Sequence, residues 1–358
     1  MRRSLFPAWL AAAALLLTAC AAPGRLSREE QAVERQFLAM DTVMSITLYG
    51  ETANDAVQAS VTELQRLEDL LSRTRPNSAL SRLNEEGAAD CGQELWDLLE
   101  AAQSCSAAVD GAFDVTVAPV VDAWGFTGET QRVPGDRELA ELLERVGWER
   151  VDLLPGGERV ELAEGTELDL GGIAKGYAAD CLAGLFAEQG VERGWASLGG
   201  NVLAWGTRPD GTPWRIGIQD PQYPEEQRFI GQLGLEDGFA VTSGSYQRYF
   251  KQNGVTYHHI FDPADGRPAN SGLVSVTVVA PAAREARERT PGNGALCDAL
   301  STALFVMGEE KALDFWRSGQ YEFQLVLVTE DGRVVVTAGL EDVFTQLEGS
   351  GYRYETVS

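Results

Sequence analysis

The chain has 358 residues, 44% of them apolar, and a formal charge of −25 from 54 acidic against 29 basic side chains. That balance excludes nucleic acid and a basic membrane-surface patch as partners, and it repels an anionic ligand unless a metal, a lysine or a backbone N–H cradle meets it locally. The apolar content is enough for a full core, in one large domain or two interleaved ones.

The N-terminus reads as an export signal. Arg2 and Arg3 precede an apolar run from Trp9 to Leu17 that is too short to span a bilayer. Leu17-Thr18-Ala19-Cys20 then has the form of a bacterial lipobox, with cleavage before Cys20 and lipid on its thiol; an ordinary signal peptide with a chance cysteine is the alternative. The expected organisation is a removed signal over 1–19, a lipidated Cys20 and polar tether over 20–35, and one domain over 36–350.

Alternation predicts a strand over Phe37–Tyr49, and a stripe of Val57, Val61, Leu64, Leu67 and Leu71 predicts a helix over Thr52–Ser72. Short and long helices are expected at Ala79–Asn84 and Gln93–Ala108, an extended run at Phe113–Pro119, and a helix at Arg137–Val146. Val151–Leu170 reads as a hairpin about Pro155-Gly156-Gly157, and Ala174–Gln189 as a helix. Trp195–Val279 is strand-rich, Gly294–Met307 and Glu309–Arg317 are helical, and Phe323–Val328 with Val334–Thr337 form a hairpin about Asp331-Gly332. Helices between antiparallel hairpins give an α+β class.

The only two histidines are neighbours, His258 and His259, at a strand end entering the turn Asp262-Pro263-Ala264-Asp265-Gly266. An imidazole-dependent step belongs here or nowhere; a histidine with no chemical task is the competing reading. Glu167 to Asp180 (ELDLGGIAKGYAAD) takes an extended run through two glycines into a helix start beside Lys175, one of only three lysines. Free N–H groups there suit a phosphate, or the glycines serve packing alone. Asp298 and Thr302, at i and i+4 of one helix, put two oxygens on one face. That suits an oxygen-ligated Mg²⁺, or a first-turn Asp with a Thr bonded back to a carbonyl. Trp124 and Phe126 suit stacking on a ring ligand or, better, core packing. The serines of Thr242-Ser243-Gly244-Ser245 lack the elbow of a serine hydrolase. Cys91, Cys105, Cys181 and Cys297 fit no zinc pattern and are either bridged or buried thiols.

In chain order, Met40-Asp41-Thr42-Val43-Met44, Ser81-Arg82-Leu83-Asn84, Gly111-Ala112-Phe113-Asp114, Trp124-Gly125-Phe126, the Asp169–Asp180 run, Ser197-Leu198-Gly199-Gly200-Asn201, Thr242-Ser243-Gly244, His259-Ile260-Phe261-Asp262-Pro263 and Asp298–Ala303 resemble the ApbE family of FAD:protein FMN transferases. The resemblance implies a T-fold-related α+β fold of antiparallel sheets with packed helices. It also implies Mg²⁺-dependent transfer of FMN from FAD, through a phosphoester, to a Thr or Ser hydroxyl of an acceptor flavoprotein, with AMP released. By the same resemblance, Asp298, Thr302 and the Gly172 carbonyl would hold Mg²⁺. Met40, Ala112, Phe113, Asp114, Asp169, Lys175 and Ile260 would contact FAD, and His259 would be the general base. The implied partners are FAD, an exported acceptor subunit, and a bacterial membrane reached only through the lipid on Cys20, outside the cytoplasm. The chain departs from the family in having Thr74 where an aromatic is frequent, and Gly171-Gly172 for a frequent Ser-Ala. Two other functions fit the same residues: an FAD pyrophosphatase giving FMN and AMP, and a non-catalytic flavin-binding lipoprotein.

Overall fold

The computed structural model describes residues 31–128, 130–284 and 289–358; the signal and Cys20 lie outside them. In chain order the elements begin with β1 (Ala32–Ala39), β2 (Thr42–Tyr49), α1 (Ala53–Leu71), α2 (Ala79–Glu86), β3 (Ala88–Asp90), α3 (Gln93–Ala108), α4 (Ala118–Trp124) and α5 (Asp136–Leu143). There follow β4 (Val151–Leu153), β5 (Arg159–Leu162), α6 (Ala174–Glu188), β6 (Arg193–Leu198), β7 (Asn201–Trp205), β8 (Trp214–Gln219), β9 (Phe229–Leu235) and β10 (Gly238–Gly244). The rest is β11 (Tyr249–Gln252), β12 (Val255–His258), β13 (Phe261–Asp262), β14 (Arg267–Pro268), β15 (Leu273–Pro281), α7 (Asn293–Met307), α8 (Glu309–Arg317), β16 (Gln324–Thr329), β17 (Arg333–Thr337), β18 (Phe344–Gln346) and β19 (Arg353–Val357).

Nine strands make the central sheet, in the order β1-β2-β6-β7-β10-β15-β16-β17-β19, antiparallel except where β17 meets β19. Its middle is covered on both faces, which is why β15 is buried along nearly its whole length, Ser275 and Thr277 included. Val276, Val278 and Ala280 face the helical side with Leu325 and Leu327, while Val279, Val326 and Val328 face the second sheet, β18-β9-β8, with Ile230 and Leu233. That is the period of two expected of a strand. On the helical side α1 buries the anticipated stripe, Val57, Val61, Leu64, Leu67 and Leu71, and α6 and α7 pack against each other, α6 over β6 and β7 and α7 over β10 and β15. No helix among the described residues is long and apolar enough to cross a membrane.

Three expectations differ from the structure. The run expected as one strand over 37–49 is a hairpin that begins at Ala32 and turns at Met40-Asp41, whose φ values of 48° and 57° are left-handed. Alternation continues through a two-residue turn with little trace in composition. The extended run at 113–119 gives way to α4, with Pro119 in its first turn, where a missing N–H costs nothing. The hairpin expected to reach Leu170 ends at Leu162; beyond it the chain runs extended, held by Asp169 N–H to the Val115 carbonyl at 2.7 Å.

Asp180 fixes where α7 starts. The residue before α7 is Gly292, which has no side chain to cap the helix, and Asp180 of α6 accepts from Gly292 N, Gly294 N and Ala295 N at 2.9, 2.8 and 2.8 Å. Three of the orphan donors of a helix start are thus met from another helix by a carboxylate, the stronger kind of acceptor. Asp180→Ala is expected to lower unfolding free energy by about 2–3 kcal/mol, read as a fall in urea midpoint without change in slope. Asp180→Asn is expected to lose less.

Candidate active site

The site is built where α6 and α7 touch. A Cβ on Gly176 would lie 2.2 Å from the Gly294 carbonyl oxygen and 2.6 Å from Asp298 Cβ, so only glycine allows this approach. The contact brings Gly176 N–H, one of the free donors at the start of α6, to Asp298 Oδ2 at 2.8 Å. Gly172 faces the same spot: a Cβ there would stand 3.5 Å from Thr302 Oγ1 and 3.1 Å from the Phe113 ring. The Asp298 carboxylate is 3% exposed as a residue. The Thr302 hydroxyl lies one turn further along α7, on the side of Gly172, so two side-chain oxygens of α7 face the start of α6. Thr302 is steadied by Ser243 Oγ at 3.3 Å, itself 2.8 Å from Ser301 Oγ. Lys175 Nζ donates to the Gly171 carbonyl at 2.7 Å and stands 3.9 Å from Asp298 Oδ2.

The two histidines do different things. His258 closes β12: its Nε2 donates to the Ala269 carbonyl at 3.0 Å, its ring stands edge-on to Phe305 of α7, and burial lowers its pKa. It pins the loop. His259 follows immediately, and its backbone N–H and Nδ1 both lie 3.2 Å from the Arg248 carbonyl. A carbonyl only accepts, so Nδ1 carries the proton and Nε2 the lone pair. The ring keeps a window to solvent but is ringed by protein; that desolvation, then the charge of Arg248, the His258 ring beside it and the charge of Lys175, push its pKa down to about 3. The ring is therefore neutral, with its lone pair on Nε2. The loop's other support is a ring cluster in which Trp124 and Phe126 pack with Phe250, Tyr257 and Phe261, and Trp124 Nε1 donates to the Gly266 carbonyl at 2.8 Å. Trp124 is thus a core residue, while the half-buried Phe126 also meets the His259 ring, 6.4 Å between centroids.

Residues 40–327 match the family model of the ApbE family. The chain belongs to the ApbE family. It is 32% identical over 336 residues to the FAD:protein FMN transferase of Vibrio cholerae, covering 90% of this chain and 95% of that one. Its fold is similar to the ApbE protein of Thermotoga maritima, with a TM-score of 0.76 at 32% identity over 89% of this chain and 97% of that one. The apo flavinyl transferase ApbE of Pseudomonas stutzeri superposes with a TM-score of 0.73 at 27% identity, over 87% and 96%. The α+β class of antiparallel sheets with packed helices agrees with these likenesses.

The other residues expected at an ApbE site surround this centre unevenly. Phe113 lies against Gly172, with Ala112 half-buried beside it. Asp114 is buried, its Oδ1 taking Thr116 N–H and Oγ1 at 2.8 and 2.7 Å, and burial raises its pKa. It lines a cavity of about 440 Å³ with Gly111, Trp148 and Pro263. Another hollow, of about 320 Å³, follows α6 from Asp180 to Glu188 and contains neither histidine nor Lys175 nor Asp298. Met40 sits in the β1–β2 turn, half-buried, and Ile260 is buried next to His259. Asp169 is gripped on Oδ2 by Arg73 Nε at 2.8 Å and on Oδ1 by Gly171 N–H at 2.8 Å; Arg73 also bonds Asp122. Arg73 and Arg248 were not singled out by motif: Arg73 acts across 96 residues of sequence and Arg248 largely through its backbone, so composition carries no sign of either. The four described cysteines are all free thiols, with Cys91, Cys105 and Cys297 buried.

Two outcomes test this geometry. Gly294→Ala places a Cβ 2.5 Å from the Gly176 carbonyl oxygen. The chain is expected to lose about 1–3 kcal/mol of stability and to separate Asp298 from Gly176 N–H, seen as faster hydrogen exchange at that amide. The His259 ring C–H resonances, assigned by their loss in His259→Gln, are expected to hold neutral-ring shifts from pH 8 to about 5.5. Between the ordinary 6.5 and about 3, unfolded chain binds a proton at position 259 and folded chain does not, so acid removes stability over that window and His259→Gln relieves part of the loss. A midpoint near 6.5 for the resonance missing in His259→Gln would contradict the assignment.

Proposed function

We propose that the protein is a Mg²⁺-dependent FAD:protein FMN transferase, splitting FAD and joining FMN through a phosphoester to a Thr or Ser hydroxyl of an acceptor flavoprotein, with AMP released. The observation that supports this is the buried Asp298 carboxylate on α7, met by Gly176 N–H of α6 with Lys175 3.9 Å away, and Thr302 one turn on beside Gly172, in a chain whose neutral imidazole keeps its lone pair on Nε2. Asp298, Thr302 and the Gly172 carbonyl would hold the cation. Mg²⁺ supplies charge that offsets the transferring phosphoryl oxygens.

The chain's own groups do the rest. His259 Nε2 takes the proton of the acceptor hydroxyl as that oxygen bonds to phosphorus and the bond to AMP breaks. Lys175, tethered by the Gly171 carbonyl, has two further N–H donors for phosphate oxygens. Phe113 with Ala112 and Asp114, Met40, Asp169 and Ile260 would line the path of FAD. The protein would work outside the cytoplasm on an exported acceptor subunit, anchored to the membrane by lipid on Cys20; the order of Arg2-Arg3, the apolar run and Leu17-Thr18-Ala19-Cys20 supports this.

Incubation with FAD, Mg²⁺ and a flavinylation-domain acceptor is expected to add an FMN-sized mass and denaturation-resistant fluorescence to the acceptor. EDTA is expected to abolish the gain, and His259→Ala to lower it by about 10²–10⁴-fold. FMN and AMP release without acceptor labelling would indicate the pyrophosphatase; FAD binding with neither product would indicate a flavin-binding lipoprotein.

A further inference from the structure

We propose that Arg248 is the positioning residue for His259, fixing which ring nitrogen is basic and where it points; the catalytic consequence rests on the transferase reading above. Arg248 has two attachments that act in opposite directions along the chain. Its carbonyl receives both the backbone N–H and Nδ1 of His259, at 3.2 Å each. Its guanidinium reaches 207 residues back in sequence, donating to the Asp41 carbonyl at 3.0 Å in the β1–β2 turn.

The position of Arg248 in the fold makes this pin matter. In the ribbon β11–β12, Tyr249 is paired with His258, and the His259 N–H to Arg248 carbonyl bond extends that ladder by one step. Tyr249, Lys251 and Val255 of the ribbon are exposed. Its inner side is held by the Trp124 ring cluster through Phe250 and Tyr257. Nothing in that cluster fixes the peptide at 248. The guanidinium bond to Asp41 does, and so ties the carbonyl that orients the base to Met40-Asp41, a turn locked by two left-handed residues. Two bonds of 3.2 Å are at the long end of the useful range, so a small swing of the Arg248 peptide breaks both and frees the ring to exchange tautomers.

The side chain is exposed, so its removal leaves the core untouched. The test is Arg248→Met, which keeps the stem and removes the donor, with Arg248→Lys as the conservative partner. Imidazole ¹⁵N spectra, assigned by the signal lost in His259→Gln, report the tautomer. AMP release from FAD, with Mg²⁺ and a flavinylation-domain protein as acceptor, reports kcat and KM. Native protein is expected to show His259 as the Nδ1–H form. Arg248→Met is expected to give an averaged tautomer signal and a kcat lower by about 10- to 100-fold, with the KM for FAD changed by less than about twofold. Arg248→Lys, able to make the single bond to the Asp41 carbonyl, is expected to restore both. Unchanged tautomer and rate in Arg248→Met would overturn the proposal, as would a raised KM at native kcat, which would make Arg248 a substrate contact, or a failure of lysine to restore. If native protein releases no AMP, the transferase reading falls and the tautomer comparison still decides the role of Arg248.

Discussion

The site depends on one steric permission. Gly176 and Gly294 let α6 and α7 come together until each backbone lies where the other's Cβ would be. Everything chemical follows from that approach. Gly176 N–H, free at the start of α6, is met by Asp298, and Thr302, one turn beyond Asp298, comes level with Gly172. A buried carboxylate taking a backbone N–H avoids most of the cost of burying a charge. Asp180 then makes the reciprocal contact, capping α7 from α6, so the same two helices are fastened at both ends of the contact.

The adjacent histidines illustrate how one residue type is sorted into two tasks by what its nitrogens meet. His258 uses both, donating from Nε2 to Ala269 and accepting at Nδ1 from Ile260 N–H at 3.3 Å, and nothing is left for chemistry. His259 commits only Nδ1. Both rings are held neutral mainly by desolvation, but only at His259 does neutrality leave an uncommitted lone pair. A carbonyl does here the orienting that a carboxylate does in a Ser-His-Asp triad, without adding charge that would raise the imidazole's pKa.

Much of this was legible in the sequence because local chemistry wrote it. The i,i+4 pair Asp298 and Thr302, the double glycine before Lys175 and the strand-end histidines all kept their expected elements. What was hidden was long-range. Alternation could not tell one strand from a hairpin at Met40-Asp41, because the turn uses two non-glycine residues in left-handed conformation. Pro119 read as extended because proline serves helix starts and extended chain equally. Arg73 was invisible because its partners, Asp122 and Asp169, become neighbours only when α4 and the run before α6 fold against the end of α1.

The chain carries −25, yet around the site three cations, Arg73, Lys175 and Arg248, stand among three carboxylates, Asp122, Asp169 and Asp298. Arg73 answers Asp122 and Asp169, and burial, which alone would raise Asp122, is outweighed by that bond, so its pKa is lowered. Lys175 is shared between the Gly171 carbonyl and Asp298. Arg73 and Lys175 are thus balanced by carboxylates rather than free to meet an anion. At an effective dielectric near 20, a unit charge 4 Å away is worth about 4 kcal/mol, so a pyrophosphate gains little from balanced pairs and much from any added cation. An anion at such a site would gain most from a cation that arrives with it.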